Sequence, residues 1–202
     1  MTPAAQDHSQ LQKIEAIVIG ASAGAVMALS RILPSLQPGF HLPVFVVVHQ
    51  PADKTSSIAD FFRMKCALPV KEAEDKEPIA PGTIYFAPPD YHLLVEKNHL
   101  LSLSSDELVN FSRPSIDVLF ESAADSFADR VVGIVLTGAS ADGARGLRAI
   151  CERGGIGLVE SPELAEVSVM PAAAAAACST ARKLSLDEIA SFLQHLTKIE
   201  FR

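Results

Sequence analysis

The sequence is poor in the residues that mark several classes of protein. Its 202 residues include no tryptophan, three cysteines and only 6% aromatic residues. Lysine and arginine number 17 against 24 aspartates and glutamates, which gives a net charge of −7. This balance argues against a nucleic-acid binder, which needs a basic surface to neutralise phosphates. We therefore expect no nucleic acid among the partners of this chain.

The chain also lacks the long apolar segments of membrane and secreted proteins. No apolar run approaches the roughly 20 residues that a membrane span requires. Residues 1–13 are polar and contain no apolar segment of the kind found in a signal peptide. We expect no membrane insertion and a cytoplasmic location.

The cysteines suggest neither a disulfide framework nor a metal site. Cys66, Cys151 and Cys178 are odd in number, widely spaced and without a Cys-x-x-Cys pair. We expect buried free thiols in a reducing compartment. No motif calls for a metal ion or an organic cofactor, and none is predicted.

What the chain does contain is a regular alternation of apolar runs and amphipathic segments. Strands are predicted at 15–20, up to 49, 83–87, 131–136 and 156–159, a hairpin at 92–96 and 99–103, and a charged loop at 72–81. Helices are predicted from about 25 to 34 and over 57–64, 116–127, 143–153, 170–181 and 185–196, the last opened by a Ser185-x-x-Glu188 capping box. We expect a flexible tail at 1–13 and one α/β domain at 14–202. It would be a doubly wound, mostly parallel sheet with helices on both faces and a β-hairpin insertion.

Three of the predicted strands lead into residue types that nucleophilic hydrolysis needs. Ser22 follows the first strand, His49 ends the second, and Asp142 follows the strand at 131–136. In open α/β sheets the carboxyl ends of the strands form one crevice, so these three side chains are expected to converge. The pattern predicts a hydrolase with Ser22 as nucleophile, His49 as base and Asp142 as the carboxylate that orients the histidine.

Each segment also has a simpler interpretation. Residues 20–24 fit the G-x-S-x-G nucleophile elbow, yet Ser22 could merely cap the following helix. Asp142 could equally cap the helix that starts near Gly143. Nucleotide binding fits poorly, because the central glycine of G-x-G-x-x-G is absent and the second strand ends in His49 rather than an acidic residue. Among the other histidines, only His92 is a reserve candidate.

Several ordered motifs make the chain resemble the catalytic domain of the chemotaxis protein-glutamate methylesterases, the CheB family. The resemblance covers about residues 14 to 177. The motifs are Ile19-Gly20-Ala21-Ser22-Ala23-Gly24, His49 after the second strand, Tyr85-Phe86-Ala87-Pro88-Pro89-Asp90-Tyr91-His92, Arg113-Pro114-Ser115-Ile116-Asp117-Val118-Leu119-Phe120, Thr137-Gly138 with Asp142-Gly143-Ala144, and Met170-Pro171.

The resemblance implies a specific reaction and partner. It assigns Ser22, His49 and Asp142 the roles above, and implies hydrolysis of γ-glutamyl methyl esters on the cytoplasmic helices of methylated chemoreceptors, with glutamine deamidation as a related activity. The alternative is a catalytically weak homologue that acts as a binding or signalling module. Family members commonly carry an N-terminal receiver domain. With about thirteen residues before the first strand, we expect none here, and activity that does not respond to a phosphodonor.

Small residues line the expected site. Backbone amides of the Ala21–Gly24 turn and the Gly138–Ser140 loop are the candidate oxyanion donors, which makes Ala21, Ala23, Gly24, Gly138, Ala139 and Ser140 site-lining residues.

The chain departs from the family pattern of a hydroxyl residue and Gly-Gly after the serine, Met-Gly after Thr-Gly, and arginine after Met-Pro. The residues found instead are Ala23-Gly24-Ala25, Ala139-Ser140 and Ala172. These departures surround the crevice and leave the three candidate catalytic residues in place.

Overall fold

The fold is built on one parallel sheet of seven strands. A computed structural model describes residues 10–49 and 58–196. Its strands are β1 (Ala16–Ala21), β2 (Val44–Val48), β3 (Val70–Glu72), β4 (Ile84–Phe86), β7 (Val131–Val135), β8 (Ile156–Glu160) and β9 (Arg182–Leu184). A separate antiparallel hairpin is formed by β5 (His92–Val95) and β6 (Leu101–Ser104). In spatial order the sheet is β3-β4-β2-β1-β7-β8-β9, and every neighbouring pair is parallel.

Helices cover both faces of the sheet. Every residue of β1, β2 and β7 is buried, which explains why these strands are continuous apolar runs rather than alternating ones. One face packs against α1 (Ala25–Ile32), α2 (Ile58–Arg63) and α6 (Leu186–Leu196), and the other against α3 (Ile116–Phe127), α4 (Ala144–Glu152) and α5 (Val169–Ala177). Across the described ranges, no helix has the length and apolar character needed to cross a bilayer.

The hairpin is joined to the core through α3. Ser126 Oγ donates a hydrogen bond to Val95 O (2.8 Å), and Val95 N donates to Ser122 Oγ (3.1 Å). The apolar side chains Leu93, Val95 and Leu101 complete the core layer on this face. The insertion therefore places the segment that follows it, residues 105–115, over one end of the sheet.

The chain changes direction across the sheet at β1. From β1 it proceeds through β2 towards the β3 edge, and then returns to β7 on the other side of β1. At such a switch point the loops after neighbouring strands diverge and leave a crevice at the carboxyl edge. Ser22, His49 and Asp142 follow β1, β2 and β7 respectively. The sheet topology thus puts the three predicted segments at one crevice.

The predicted α/β architecture is confirmed, and so is the capping box, in which Ser185 N and Oγ both donate to Glu188 Oε2 (2.8 Å each). Two strands, β3 and β9, were not predicted. The last residue of β3 is the first residue of the predicted loop at 72–81. Both are three-residue edge strands. Edge strands bury little, so they carry no apolar run to detect.

Residues 10–13, the end of the predicted tail, contact the domain. Gln10 Nε2 donates to Gly154 O (2.7 Å), and Leu11 packs against the core. Residues 1–9 of the predicted tail lie outside the described residues.

The expectation of free thiols was wrong for two of the three cysteines. Cys151 and Cys178 form a disulfide, while Cys66 is free. Cys151 lies in the last turn of α4 and Cys178 directly follows α5. Packing of these helices brings the sulfurs together across 27 residues of sequence, a proximity that cysteine spacing does not reveal.

The contact between α3 and α4 requires a glycine at position 146. A Cβ atom there would lie 2.5 Å from Phe120 Cβ and 3.1 Å from the backbone of Asp117. We expect Gly146→Ala to lower the free energy of unfolding by about 1–3 kcal/mol through overpacking, although alanine is the better helix former. Urea unfolding measures this change. Arg148→Ala, on the exposed side of the same helix, should change stability by less than about 0.5 kcal/mol. A more stable Gly146→Ala variant would show that helix propensity outweighs packing.

Candidate active site

Ser22 lies at the tip of β1, beside His49. The register pairs Ala21 with Val48, so Ser22 and His49 are each one residue beyond a paired position on neighbouring strands. His49 N donates to Ala21 O (3.2 Å), and Ser22 N donates to Thr137 O (2.9 Å) after β7. Ser22 is partly buried. The structure therefore brings Ser22 and His49 to adjacent positions at the crevice.

Ser22 is not the cap of the helix that follows it. The N-cap of α1 is Gly24, and no side chain caps this helix. Gly24 has φ 81°, and a Cβ atom there would come within 3 Å of Thr137 and Glu166 side-chain atoms. Only glycine suits that conformation and that space. The helix-cap interpretation of Ser22 is thus wrong, and the small residues after it are explained by the tight turn.

Thr137 fixes this turn against the neighbouring loop. Its hydroxyl donates to Ala23 O (2.9 Å) and accepts from Val167 N (2.9 Å), while its own N–H donates to Glu160 Oε2 (2.7 Å). Glu160 is buried, and this burial raises the pKa of its carboxyl group. Thr137, which the sequence analysis noted only as part of a motif, holds the serine turn in place.

Asp142 is fully buried and holds His49 by a hydrogen bond. His49 Nε2 lies 2.8 Å from Asp142 Oδ2, and the histidine side chain is 12% exposed. The N-cap of α4 is Gly143, with no capping side chain, so Asp142 is not the cap of that helix. Five groups donate to its carboxylate: His49 Nε2 (2.8 Å), Ile116 N (2.7 Å), Ser115 Oγ (2.8 Å), Asn110 Nδ2 (2.9 Å) and Asp117 N (3.1 Å).

These donors keep Asp142 ionised. Burial by itself opposes the charge, but hydrogen bonds from His49, Asn110 and the first amides of α3 outweigh it and hold the pKa of Asp142 below its ordinary value. The amides belong to Ile116 and Asp117, at the helix N-terminus, where the helix dipole also favours an anion. A charged Asp142 can in turn stabilise a protonated His49.

Two further residues hold Asp142 in place, and the sequence did not identify either of them as a functional residue. Asn110 Nδ2 donates to both Asp142 Oδ1 and Asp117 Oδ2 (2.9 Å each), and so bridges two carboxylates. Asp117 also accepts from Gly143 N (2.9 Å) and Gly146 N (2.7 Å). Burial, with a contribution from Asp142, raises the pKa of Asp117. The motif at 113–120 pointed to this segment, but no pattern marked Asn110.

The reserve candidate His92 has a supporting position. It is 2% exposed, and its Nδ1 accepts a hydrogen bond from Ser115 N (3.1 Å). Its Nε2 therefore carries the proton and donates to Glu107 O (3.1 Å). His92 orients Ser115, which donates to Asp142, and takes no part in the pairing with His49.

The candidate oxyanion residues divide into two groups. The amide of Gly138 donates to Val167 O (3.0 Å), so it is committed elsewhere, and Gly138 only lines the site next to Ser22. Ala21 is the last residue of β1, and its carbonyl accepts from His49 N. Ala23, Gly24, Ala139 and Ser140 occupy the two loops beside Ser22, where their roles stay a prediction. Over residues 10–49 and 58–196, no cluster of histidine, cysteine or acidic side chains could hold a metal ion.

Comparison with known proteins shows the family of this chain. The family model described as CheB methylesterase matches residues 17–193. The chain belongs to the CheB methylesterase family. It is 47% identical over 182 residues to a putative protein-glutamate methylesterase/protein-glutamine glutaminase of Leptospira interrogans, across 90% of this chain and 94% of that protein.

Longer and more distant relatives of the family align as well. A protein-glutamate methylesterase/protein-glutamine glutaminase of Desulfotalea psychrophila is 35% identical, across 93% of this chain and 53% of its own length. The crystal structure of the Thermotoga maritima CheB methylesterase catalytic domain superposes with a TM-score of 0.84 at 31% identity, covering 91% of this chain and 98% of that domain. This chain therefore has the fold of a CheB catalytic domain, as the resemblance predicted.

The lowered pKa of Asp142 predicts a pH-dependent stability. Because the folded pKa lies below the ordinary value of 3.8, the stabilising contribution is complete above that value and is lost as pH falls through the folded pKa. At pH 7, Asp142→Asn should lower the free energy of unfolding by about 2–4 kcal/mol, since it leaves buried donors without a charged acceptor.

Urea unfolding from pH 7 down to below pH 3.8 tests this. The gap between wild type and Asp142→Asn should narrow on acidification as the wild-type carboxylate is protonated. Asp187→Asn is the control, because Asp187 pairs with Arg31 on the exposed surface and should have little effect. A gap that stays constant with pH would contradict an ionised Asp142 as its source.

Proposed function

We propose that this protein is a protein-glutamate methylesterase in which Ser22 is the nucleophile, His49 the general base and Asp142 the orienting carboxylate. The observation that carries the proposal is the 2.8 Å hydrogen bond between His49 and the buried, ionised Asp142, directly beside Ser22 at the switch point of the sheet. The family membership supports the same assignment, since its curated relatives bear this activity in their names.

The hydrogen bond between His49 and Asp142 supports one direction of proton transfer. Asp142 accepts from His49 Nε2, which leaves Nδ1 as the nitrogen that acts as base. Nδ1 takes the proton from Ser22 Oγ while that oxygen attacks the γ-carbonyl carbon of the glutamyl ester. The imidazolium then returns the proton to the methoxide oxygen, and methanol leaves. Water, activated by the same nitrogen, hydrolyses the acyl-enzyme to glutamate and free Ser22.

The negative oxygen of the tetrahedral intermediates needs donors at the crevice. We propose the amides of Ala23, Gly24, Ala139 and Ser140 for this role, because they border Ser22 and are not used in the loop hydrogen bonds described above. The family pattern has bulkier or more flexible residues at several of these positions. The smaller side chains here leave the donors in place, since backbone amides supply them.

The substrate is proposed to be the esterified glutamates on the cytoplasmic helices of chemoreceptors. Glutamine deamidation is a second activity of the same site, because ammonia can replace methanol as the leaving group, and the names of the relatives include glutaminase. We place the protein in the cytoplasm with these helices.

The alternative of a catalytically weak signalling module is less well supported. A binding module would have no need for a buried carboxylate held by five donors and paired with a histidine beside a serine. Ser22, His49 and Asp142 are all present in this chain. The departures from the family pattern affect only positions around them, such as Ala139 and Ala172.

Loss of the nucleophile should abolish methanol release. With a receptor fragment carrying radiolabelled methyl esters, Ser22→Ala should reduce the rate on the order of 10³-fold or more. Ser161→Ala is the matched control, because Ser161 lies after β8 and bonds only to Glu163 through its side chain. A Ser22→Ala variant that keeps more than a tenth of the activity would refute the assignment.

Loss of the orienting carboxylate should be nearly as severe. Asp142→Asn should lower kcat on the order of 10⁴-fold, because the imidazole loses its correct tautomer and the stabilisation of its charged form. Initial rates of methanol release at saturating substrate measure this. A decrease below tenfold would show that Asp142 only stabilises the start of α3.

A further inference from the structure

A tight turn beside the site displays an aromatic side chain to solvent. Val109 and Ser112 exchange two backbone hydrogen bonds (3.2 and 3.0 Å), and the residues between them, Asn110 and Phe111, have φ 53° and 62°. Two left-handed central residues define a type I′ turn, whose usual sequence is Asn-Gly. Here phenylalanine stands where glycine is the common residue, and 98% of its surface is exposed.

Neither feature of Phe111 helps the chain to fold. A bulky residue with positive φ is a strained conformation that glycine would adopt without cost. An aromatic ring in water contributes no burial. Since strained residues of this kind concentrate at functional sites, Phe111 is a candidate for contact with another molecule.

The turn is attached directly to the proposed catalytic residues. Asn110 donates to Asp142 Oδ1, so the base of the turn rests on the carboxylate that holds His49. A cavity of about 190 Å³ runs from His49 to the turn. Leu108, Phe111 and Pro114 form the apolar part of its lining, and Ser112 and the ion pair of Arg113 with Asp90 form the polar part. Leu108 is itself 57% exposed. Phe111 is thus held at a defined position on the rim of the site.

Exposed apolar side chains also occur in the segments after β1 and β8. Val26 and Met27, in the first turn of α1, are 48% and 67% exposed. Leu164 and Val169 are 66% and 51% exposed, in the segment that follows β8 and at the start of α5. β8 lies beyond β7, on the side of β1 away from His49. These side chains are separate from the turn at 109–112, which lines the cavity at His49.

We propose that Phe111 and Leu108 form a docking element for a helical protein substrate with apolar side chains next to the esterified glutamate. This inference rests on the proposed methylesterase function. Two observations favour this substrate. The chain carries a net charge of −7, which disfavours binding of an acidic segment. The apolar side chains of Phe111 and Leu108 also line the cavity that reaches His49. Methylation makes the glutamate neutral, so the rim also favours the esterified over the free side chain.

The docking element acts on substrate binding and not on the reacting atoms. Phe111→Gly should therefore raise KM for a methylated receptor fragment about ten- to thirtyfold with kcat within twofold of wild type. Because glycine relieves the positive φ, the melting temperature should stay the same or rise by a few degrees. Phe111→Tyr should restore KM to within about threefold, since it keeps the aromatic surface.

Two further variants complete the experiment. Leu108→Ala removes apolar surface without touching the turn and should raise KM severalfold. Met64→Ala removes an equally exposed side chain, 87% exposed, next to α2 at the β3 edge, and should leave KM unchanged. Binding of the fragment to Ser22→Ala and to the double variant Ser22→Ala/Phe111→Gly, followed by calorimetry, should show the same ten- to thirtyfold difference in Kd.

The outcomes separate this inference from the function on which it rests. Wild-type methanol release with unchanged KM in Phe111→Gly and Leu108→Ala would overturn the docking element alone. A fall in kcat at constant KM would also overturn it, because Phe111 would then act through Asn110 and Asp142. Absence of methanol release from the wild-type protein would overturn the proposed function, and the docking element with it.

Discussion

The buried carboxylate of Asp142 is the group on which the arrangement of the site depends. An unpaired charge in the interior is strongly destabilising, so the chain must supply donors from every side. They come from the loop after β2, the turn at 109–112 and the first turn of α3. Satisfying one carboxylate therefore brings three separate segments to the end of β7. The same requirement that stabilises the fold orients the proposed base.

The parallel sheet places the loops that carry Ser22, His49 and Asp142 at one edge, and the hydrogen bonds to Asp142 then fix the side chains. Register between β1 and β2 sets Ser22 beside His49. The return of the chain to β7 brings Thr137 to the other side of the serine and Asp142 into contact with His49. The small residues after Ser22 let Thr137 approach its turn. A strand-end crevice of this kind serves many chemistries, and the identity of these few side chains makes it a candidate esterase.

Sequence patterns are informative where the signal is local. The apolar runs predicted the buried strands, and Ser22, His49 and Asp142 became candidates because each lies at the end of such a run. Their catalytic roles stay a prediction. Residues whose role depends on contacts with distant parts of the chain could not be identified from the sequence. Asn110 donates to the carboxylates of Asp117 and Asp142. Thr137 joins the loop at Ala23 to the loop at Val167. The cysteine pair was mispredicted for the same reason, since helix packing and not spacing joins Cys151 to Cys178.

The sequence by itself determined the α/β class, the strand ends and the three residue types that could perform hydrolysis, because hydrophobic periodicity and local motifs are short-range properties. Tertiary structure decided which contacts those residues make. Ser22 and Asp142 both stood beside helix starts, and only packing showed that neither caps the following helix. It also decided that His49 offers Nε2 to Asp142, and that Phe111 faces solvent. Such choices depend on distances between residues far apart in the chain, which no local pattern encodes.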